Sequence, residues 1–343
     1  MSIQKYKTLD LRYASILVAV VEGYINTCQP ISSKYVQNSL SSNLSSATIR
    51  NVMSCLEKDG FLKQVHKSGG RIPTDLGYRF YINSIKTYDK LSEHVAPGLE
   101  DELRTISNNV DEVLNATASM LSELSNMFSV VTISEYHNSI LVDIELVELN
   151  GNRVMLVLGM NNGLVKSIVL DLDINIKPKH MNSIIRLLKE KLIGLSLREI
   201  QNTITLRLND SSIFNHELIQ VLIHDRYSYF SIENNKLIYT SPVNVLLNYP
   251  EFQNITKFQK ILPALDKSFL SDYFNQNFSH EFDEILIGEE NADKILSECS
   301  IVSSPFNQGT VKGRIGVIGP KRIPYIQIQN ILNNFTEIIN SAG

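Results

Sequence analysis

Tryptophan is absent from this 343-residue sequence, and cysteine occurs only at positions 28, 55 and 299. Three widely spaced thiols with no Cys-x-x-Cys pair exclude a disulfide-stapled scaffold and fit a chain kept reduced. No apolar run reaches the ~18 residues a membrane span requires. The first residues, MSIQKYKTLDLR, hold no apolar signal core, so the chain is expected in the cytoplasm with no membrane partner. The histidines, His66, His94, His137, His180, His216, His224 and His280, are scattered, and none completes an HExxH motif or a Cys/His zinc spacing. No Walker A motif is present. Gly313 to Gly319, GRIGVIG, superficially resembles a phosphate loop, but no Gly-Lys-Ser/Thr follows and Pro320 comes next, so strand and turn is the better reading. Glu289-Glu290 follows an apolar strand and has no identifiable partner, which reads as a solvated loop. No catalytic residue, cofactor site or metal site is expected, and the chain is not read as an enzyme.

Charge is present but unevenly divided. The whole chain carries 32 Lys and Arg against 36 Asp and Glu. Residues 1–90 carry twelve of those cations and only six of the anions, leaving 20 cations and 30 anions for the rest. A basic N-terminal module on an acidic body is the asymmetry expected when only that module meets a polyanion.

The stretch from Asn43 to Tyr81 gives that module its form. Ser45 and Ser46 are good N-caps and Gly60 is a good C′ residue, so a helix is expected between them. Ile49, Val52, Met53 and Leu56 fall at i, i+3, i+4 and i+7, on one face. The opposite face carries Ala47, Asn51, Ser54 and Lys58, flanked by Thr48 and Arg50, with Ser46 at the start. These are types that read DNA bases or grip phosphates: Asn pairs with adenine, Arg with guanine, and Thr or Ala methyls meet the thymine methyl. Phe61-Leu62 follows. Then Lys67-Ser68-Gly69-Gly70-Arg71 centres a polar turn, read as a small β-hairpin with Lys63, Lys67 and Arg71 on or beside its tip. Upstream, helices are expected over residues 10–27 and from Ser32 or Ser33 to about Asn38, broken by Gln29-Pro30. Thr74 caps a further helix. Three helices before a basic hairpin is the order of a winged helix-turn-helix. The plainer reading is an amphipathic helix with a solvated outer face beside a soluble loop; the hairpin and the charge asymmetry favour DNA.

Beyond a linker candidate at 86–97, Leu99, Leu103, Ile106, Val110, Val113, Thr117, Met120, Leu124 and Met127 alternate spacings of four and three. This is either a coiled coil or a long helix laid across a sheet, and both fit a dimer contact. Strands are predicted at 130–133, 140–149, 153–160 and 164–172, with turns at Asn150-Gly151-Asn152 and Asn161-Asn162-Gly163. A helix is predicted at 178–193. Residues 195–236 are polar and mixed helical, and read as an insertion. KLIYTSP, DEILIGEE and GRIGVIGP are strand-like, and an amphipathic helix closes the chain from about Ile323 to Ile339.

SSATIRNVMSCLEKDGFLKQVHKSGGRIPTDLGYRFY resembles the N-terminal signature of the HrcA family of heat-inducible transcription repressors, and YINTCQPISSKYV resembles that family's preceding segment. Ser32 stands where a glycine is usual, and Ser68-Gly69-Gly70 where Ser-Ala-Gly is usual; neither change removes a cation or a cap. NVLLNYPEF at 244–252, IGEEN at 287–291 and GRIGVIGPKRIPY at 313–325 are similar to further blocks of that family, so the likeness runs nearly end to end. The resemblance implies an α+β multidomain fold: a winged helix-turn-helix at 1–90, a GAF-like domain at 91–194 and 237–343, and an inserted dimerising domain at 195–236. It implies a homodimer that binds the CIRCE inverted repeat upstream of chaperone operons, blocks transcription, and is kept active by a GroEL-type chaperonin. The alternative is a winged-helix regulator whose GAF-like domain senses a small molecule.

Overall fold

The computed structural model describes residues 9–40, 44–65, 69–85, 110–134, 139–149, 152–161, 163–173, 178–211, 213–231, 238–279, 281–308 and 311–341. The expected linker at 86–97, the heptad positions before Val110, and His66 and Lys67 lie outside these residues.

The N-terminal head begins with α1 (Leu11–Thr27), which buries Ile16, Leu17, Val20 and Val21. It stops at Cys28, whose φ of 54° is left-handed and whose N–H closes on the Tyr24 carbonyl. Ser32 caps α2 (Ser33–Ser39), its Oγ accepting from the Tyr35 N–H at 3.2 Å. Ser45 likewise caps α3 (Ser46–Lys58), accepting from the Thr48 N–H at 3.1 Å. At the other end the Phe61 N–H reaches the Leu56 carbonyl and the Gly60 N–H reaches Glu57, the paired bonds of a Schellman turn with Gly60 at φ 83°. Ile49, Val52, Met53 and Leu56 are the buried residues of α3, as the spacing predicts; each such side chain contributes roughly 1.5–3 kcal/mol on burial. Strands β1 (Leu62–Gln64) and β2 (Arg71–Pro73) pair antiparallel, with Lys63 opposite Ile72. Ile31 and Arg71 exchange two backbone bonds of 2.9 Å, so the segment between α1 and α2 adds a third rung to this small sheet. Thr74 accepts from the Gly77 N–H at 3.2 Å and opens α4 (Asp75–Ile85).

The body is built on a five-stranded antiparallel sheet. Its strands are β3 (Phe128–Ser134), β7 (Ile238–Thr240), β8 (Glu284–Ile287), β9 (Cys299–Gln308) and β10 (Val311–Pro320), in the order β7-β3-β10-β9-β8. Strand alternation buries both faces. Val131, Ile133, Val302, Ile315 and Val317 pack with α5 (Val110–Ser125) and the closing helix α12 (Tyr325–Ser341). Phe128, Val130, Ile301 and Ile318 pack on the other side with residues of α10 (Ile255–Ile261) and α11 (Lys267–Asn277). The periodic stretch therefore yields a helix laid across a sheet: Leu114, Ala118 and Leu121 are buried against β3 and its neighbours. Met127 has already left that helix. Gly313 to Gly319 lies within β10, a central strand, as the strand reading expects.

Two departures from the sequence reading have clear causes. Strand β9 was not predicted, because serines and Pro305 interrupt its apolar pattern. Its serines are buried within the sheet, and Pro305 lies past Ser303, the last residue paired with β8, where that edge needs no ladder donor. The second concerns the insertion. β4 (Leu141–Glu148), β5 (Arg153–Met160) and β6 (Val165–Asp171) do not extend the five-stranded sheet but form a separate three-stranded one. It packs with α6 (Pro178–Leu192), α7 (Leu197–Leu208), α8 (Glu217–His224) and α9 (Arg226–Tyr229). The chain leaves the larger sheet after β3 and returns at β7, which pairs with β3 directly. The expected insert at 195–236 contains α7, α8 and α9, which pack with this three-stranded sheet.

Candidate nucleic-acid interface

Two hydroxyl contacts fix α3 against its surroundings. Ser33 Oγ and Ser46 Oγ lie 2.9 Å apart, joining α2 to the start of α3, and Gln37 donates to the Leu44 carbonyl at 3.0 Å in the connecting turn. Thr48 Oγ1 lies 2.9 Å from the capping Ser45 Oγ. Both Ser46 and Thr48 are half-buried, so their hydroxyls first hold the helix in place. Ala47, Arg50, Asn51 and Lys58 are exposed on the outer face, and among the described residues no hydrogen bond or ion pair engages the side chains of the last three. A helix whose inner face is fully packed and whose outer face offers an amide, a guanidinium and an ammonium can meet base edges and phosphates.

The hairpin divides differently from the expectation. Lys63 is exposed on β1, and Lys67 lies outside the described residues. Arg71 is not a free cation at the tip. Its Nε donates to Glu57 Oε2 at 2.9 Å and its Nη2 to Ser54 Oγ at 2.9 Å, and its side chain is only 12% exposed. A guanidinium satisfied by one carboxylate and one hydroxyl of α3 ties the hairpin to the helix instead of reaching for phosphate. Ser54 is occupied by the same tie. Glu57 was missed from the sequence; its signal was its place one turn after Ser54, on the flank of α3 that faces β2.

Elsewhere, several polar groups serve the fold. Glu290, read as part of a solvated loop, accepts the Arg79 guanidinium of α4. Burial pushes the Cys299 thiol up to about 12, which leaves it protonated and inert. Arg314, 1% exposed in β10, lies over the Phe278 ring and donates to Ser303 Oγ at 2.7 Å and to the Phe282 carbonyl at 3.1 Å. Burial lowers its proton affinity. Among the described residues no group of three or more His, Cys, Asp or Glu is placed to hold a metal, and no helix is long and apolar enough to cross a membrane.

Comparison with known proteins places the chain in a family. The family described as "HrcA protein C terminal domain" matches residues 111–328. A heat-inducible transcription repressor HrcA from Chlorobium luteolum is 30% identical, covering 98% of each chain. The corresponding repressor from Chlorobaculum tepidum is 31% identical with the same coverage. A crystal structure described only as a hypothetical protein shares the fold, with a TM-score of 0.66 at 21% identity over 98% of this chain and all of that one. The class is therefore that of transcription repressors, not enzymes. Within it, the chain belongs to the HrcA family of heat-inducible transcription repressors.

Proposed function

We propose that residues 9–85 act as a winged helix-turn-helix that lays α3 in the major groove of double-stranded DNA. Arg50 and Asn51 meet base edges, with Ala47 and Thr48 beside them. Lys58, Lys63 and Lys67 hold phosphates, while Arg71 keeps the wing at a fixed angle to the helix. The observation that carries this reading is the outer face of α3, where Arg50, Asn51 and Lys58 stand exposed on a helix otherwise locked by caps and core.

The protein acts as a homodimer on an inverted repeat of the CIRCE type, because two-fold symmetry in the protein is mirrored in its site. The inserted unit supplies the dimer contact. One face of its sheet is packed by helices, and the other leaves Val147, Val165 and Val169 exposed. The rest of the body is the GAF-like scaffold that carries the head. Bound repressor blocks transcription of chaperone operons in the cytoplasm, and a GroEL-type chaperonin keeps it active; these last points rest on family resemblance.

Fluorescence anisotropy over a salt series tests the reading with a CIRCE-type duplex and a scrambled duplex. The expected result is binding to the repeat at least ~10³ tighter at physiological salt, with two protomers per repeat. Equal binding to both duplexes, unchanged when chaperonin is added, would remove the operator assignment.

A further inference from the structure

The head is seated on the body by charges of alternating sign. On α4, Asp75 and Arg79 are four residues apart and share one helix face. Asp75 accepts from Lys321 Nζ at 2.9 Å and from the Glu289 N–H at 3.0 Å. Arg79 donates from Nε to Glu290 Oε1 at 2.8 Å, and from Nη2 to the other Glu290 oxygen and to the Ile285 carbonyl. The turn between β8 and Glu290 is shaped for this contact: Gly288 has φ 55°, and any Cβ there would overlap the Asp75 carboxylate. Tyr78, between the two charged residues, is buried with its ring 6.2 Å from Tyr325. A further pair, Arg322 with Glu251 at 2.5 and 3.1 Å, stands beside the end of α1, where Cys28 Sγ lies 3.7 Å from Glu251.

This arrangement has one register. The head offers an acid and then a base, and the body answers with a base and an acid. A shift by one helical turn would set Asp75 against Glu290, or Arg79 against Lys321, which like-charge repulsion opposes. Among the described residues, the contacts named above come from α4 and the end of α1. Arg50, Asn51 and Lys58 stay exposed with the head seated, so a seated head keeps its reading face open.

We propose that the Asp75–Lys321 and Arg79–Glu290 contacts set the distance and angle between the two recognition helices of the dimer, and thereby the half-site spacing the repressor accepts. They are positioning residues that touch no DNA. The inference rests on the dimeric repressor reading above. Half-site spacing is a geometric consequence of how rigidly each reading helix is held to the two-fold axis, and a head freed from its seat is no longer held at one separation.

The test uses the full-length protein and a set of duplexes: one half-site alone, and inverted repeats whose spacer is lengthened or shortened in single base pairs. Wild type is expected to show a sharp optimum in spacer length. Glu290→Arg is expected to flatten that profile, so that off-optimum repeats bind within about threefold of the best one, while half-site affinity stays unchanged. The reversal Arg79→Glu with Glu290→Arg restores the ion pair but not the bonds to the Ile285 carbonyl and from the Ile287 N–H, and is expected to bring back part of the optimum, which separates lost pairing from lost folding. Lys321→Glu, which repels Asp75, is expected to act like Glu290→Arg. An unaltered spacing profile in both single variants would overturn the inference and leave the repressor reading intact. A half-site affinity that falls with the profile would also overturn it, since the substitution would then act inside the head. Wild-type binding that does not distinguish a repeat from scrambled DNA would remove the repressor reading itself.

Discussion

Asn51 is exposed at the centre of the outer face of α3, on the side opposite Ile49, Val52, Met53 and Leu56. A side-chain amide there can make two hydrogen bonds to an adenine edge. Asn51→Ala is therefore expected to lose about 1–3 kcal/mol at one base pair and to relax preference there alone; binding to single-base variants of the operator measures this. Lys63 and Arg71 separate two roles that the sequence makes look alike. Lys63 is exposed, so Lys63→Ala should weaken all DNA about equally and lower the slope of log affinity against log salt by about 1. Arg71 is already neutralised by Glu57. Arg71→Met should weaken binding by loosening the wing while the salt slope stays at the wild-type value; a slope reduced as in Lys63→Ala would return Arg71 to the phosphates.

At the scale of elements, the head was almost wholly legible. The caps at Ser32 and Ser45, the glycine after α3 and the apolar spacing of α3 are local signals, set by backbone hydrogen bonding within a few residues. In α4, Gly77 costs helix propensity, and its use is a close approach to the hairpin. The structure gives the size of that approach: a Cβ at Gly77 would overlap the carbonyl oxygen of Phe61, immediately before β1. Gly77→Ala should thus gain the ~1 kcal/mol that alanine ordinarily adds in a helix and lose more than that by displacing the wing. A lower melting temperature for Gly77→Ala checks the balance, and a raised one would show that the wing yields freely. Strand β9 was not legible, because its buried serines and Pro305 follow no alternation of apolar and polar residues, and its stability comes from tertiary partners, the strands on either side and α12.

At the scale of the whole molecule, the pairing of β3 with β7 makes the insertion separable. The two strands lie antiparallel and adjacent, with Val130 opposite Thr240 and Thr132 opposite Ile238. Replacing residues 139–231 with a short Gly-rich turn should leave the five-stranded sheet folded by circular dichroism and yield monomers in sedimentation. A dimer that persists would move the contact to α5 or elsewhere on the body. Removing 195–236 alone is a less clean experiment, because it strips α7, α8 and α9 from the core they share with the three-stranded sheet and leaves α6 as its remaining helix.

By itself the sequence determined the helices of the head, the direction of their buried faces, the charge asymmetry, and the strands whose apolar residues alternate. These depend on spacing along the chain, which short-range geometry converts directly into a face or a cap. Only the tertiary structure decided which polar groups are free and which are already satisfied. Arg71 and Lys63 are both basic residues of one hairpin, yet one is held by Glu57 and Ser54 and the other faces solvent. Glu290 had no visible partner because Arg79 lies 211 residues away along the chain. Pairing of charges across such separations is set by how strands and helices pack, so neither residue's role can be read from its neighbours in sequence.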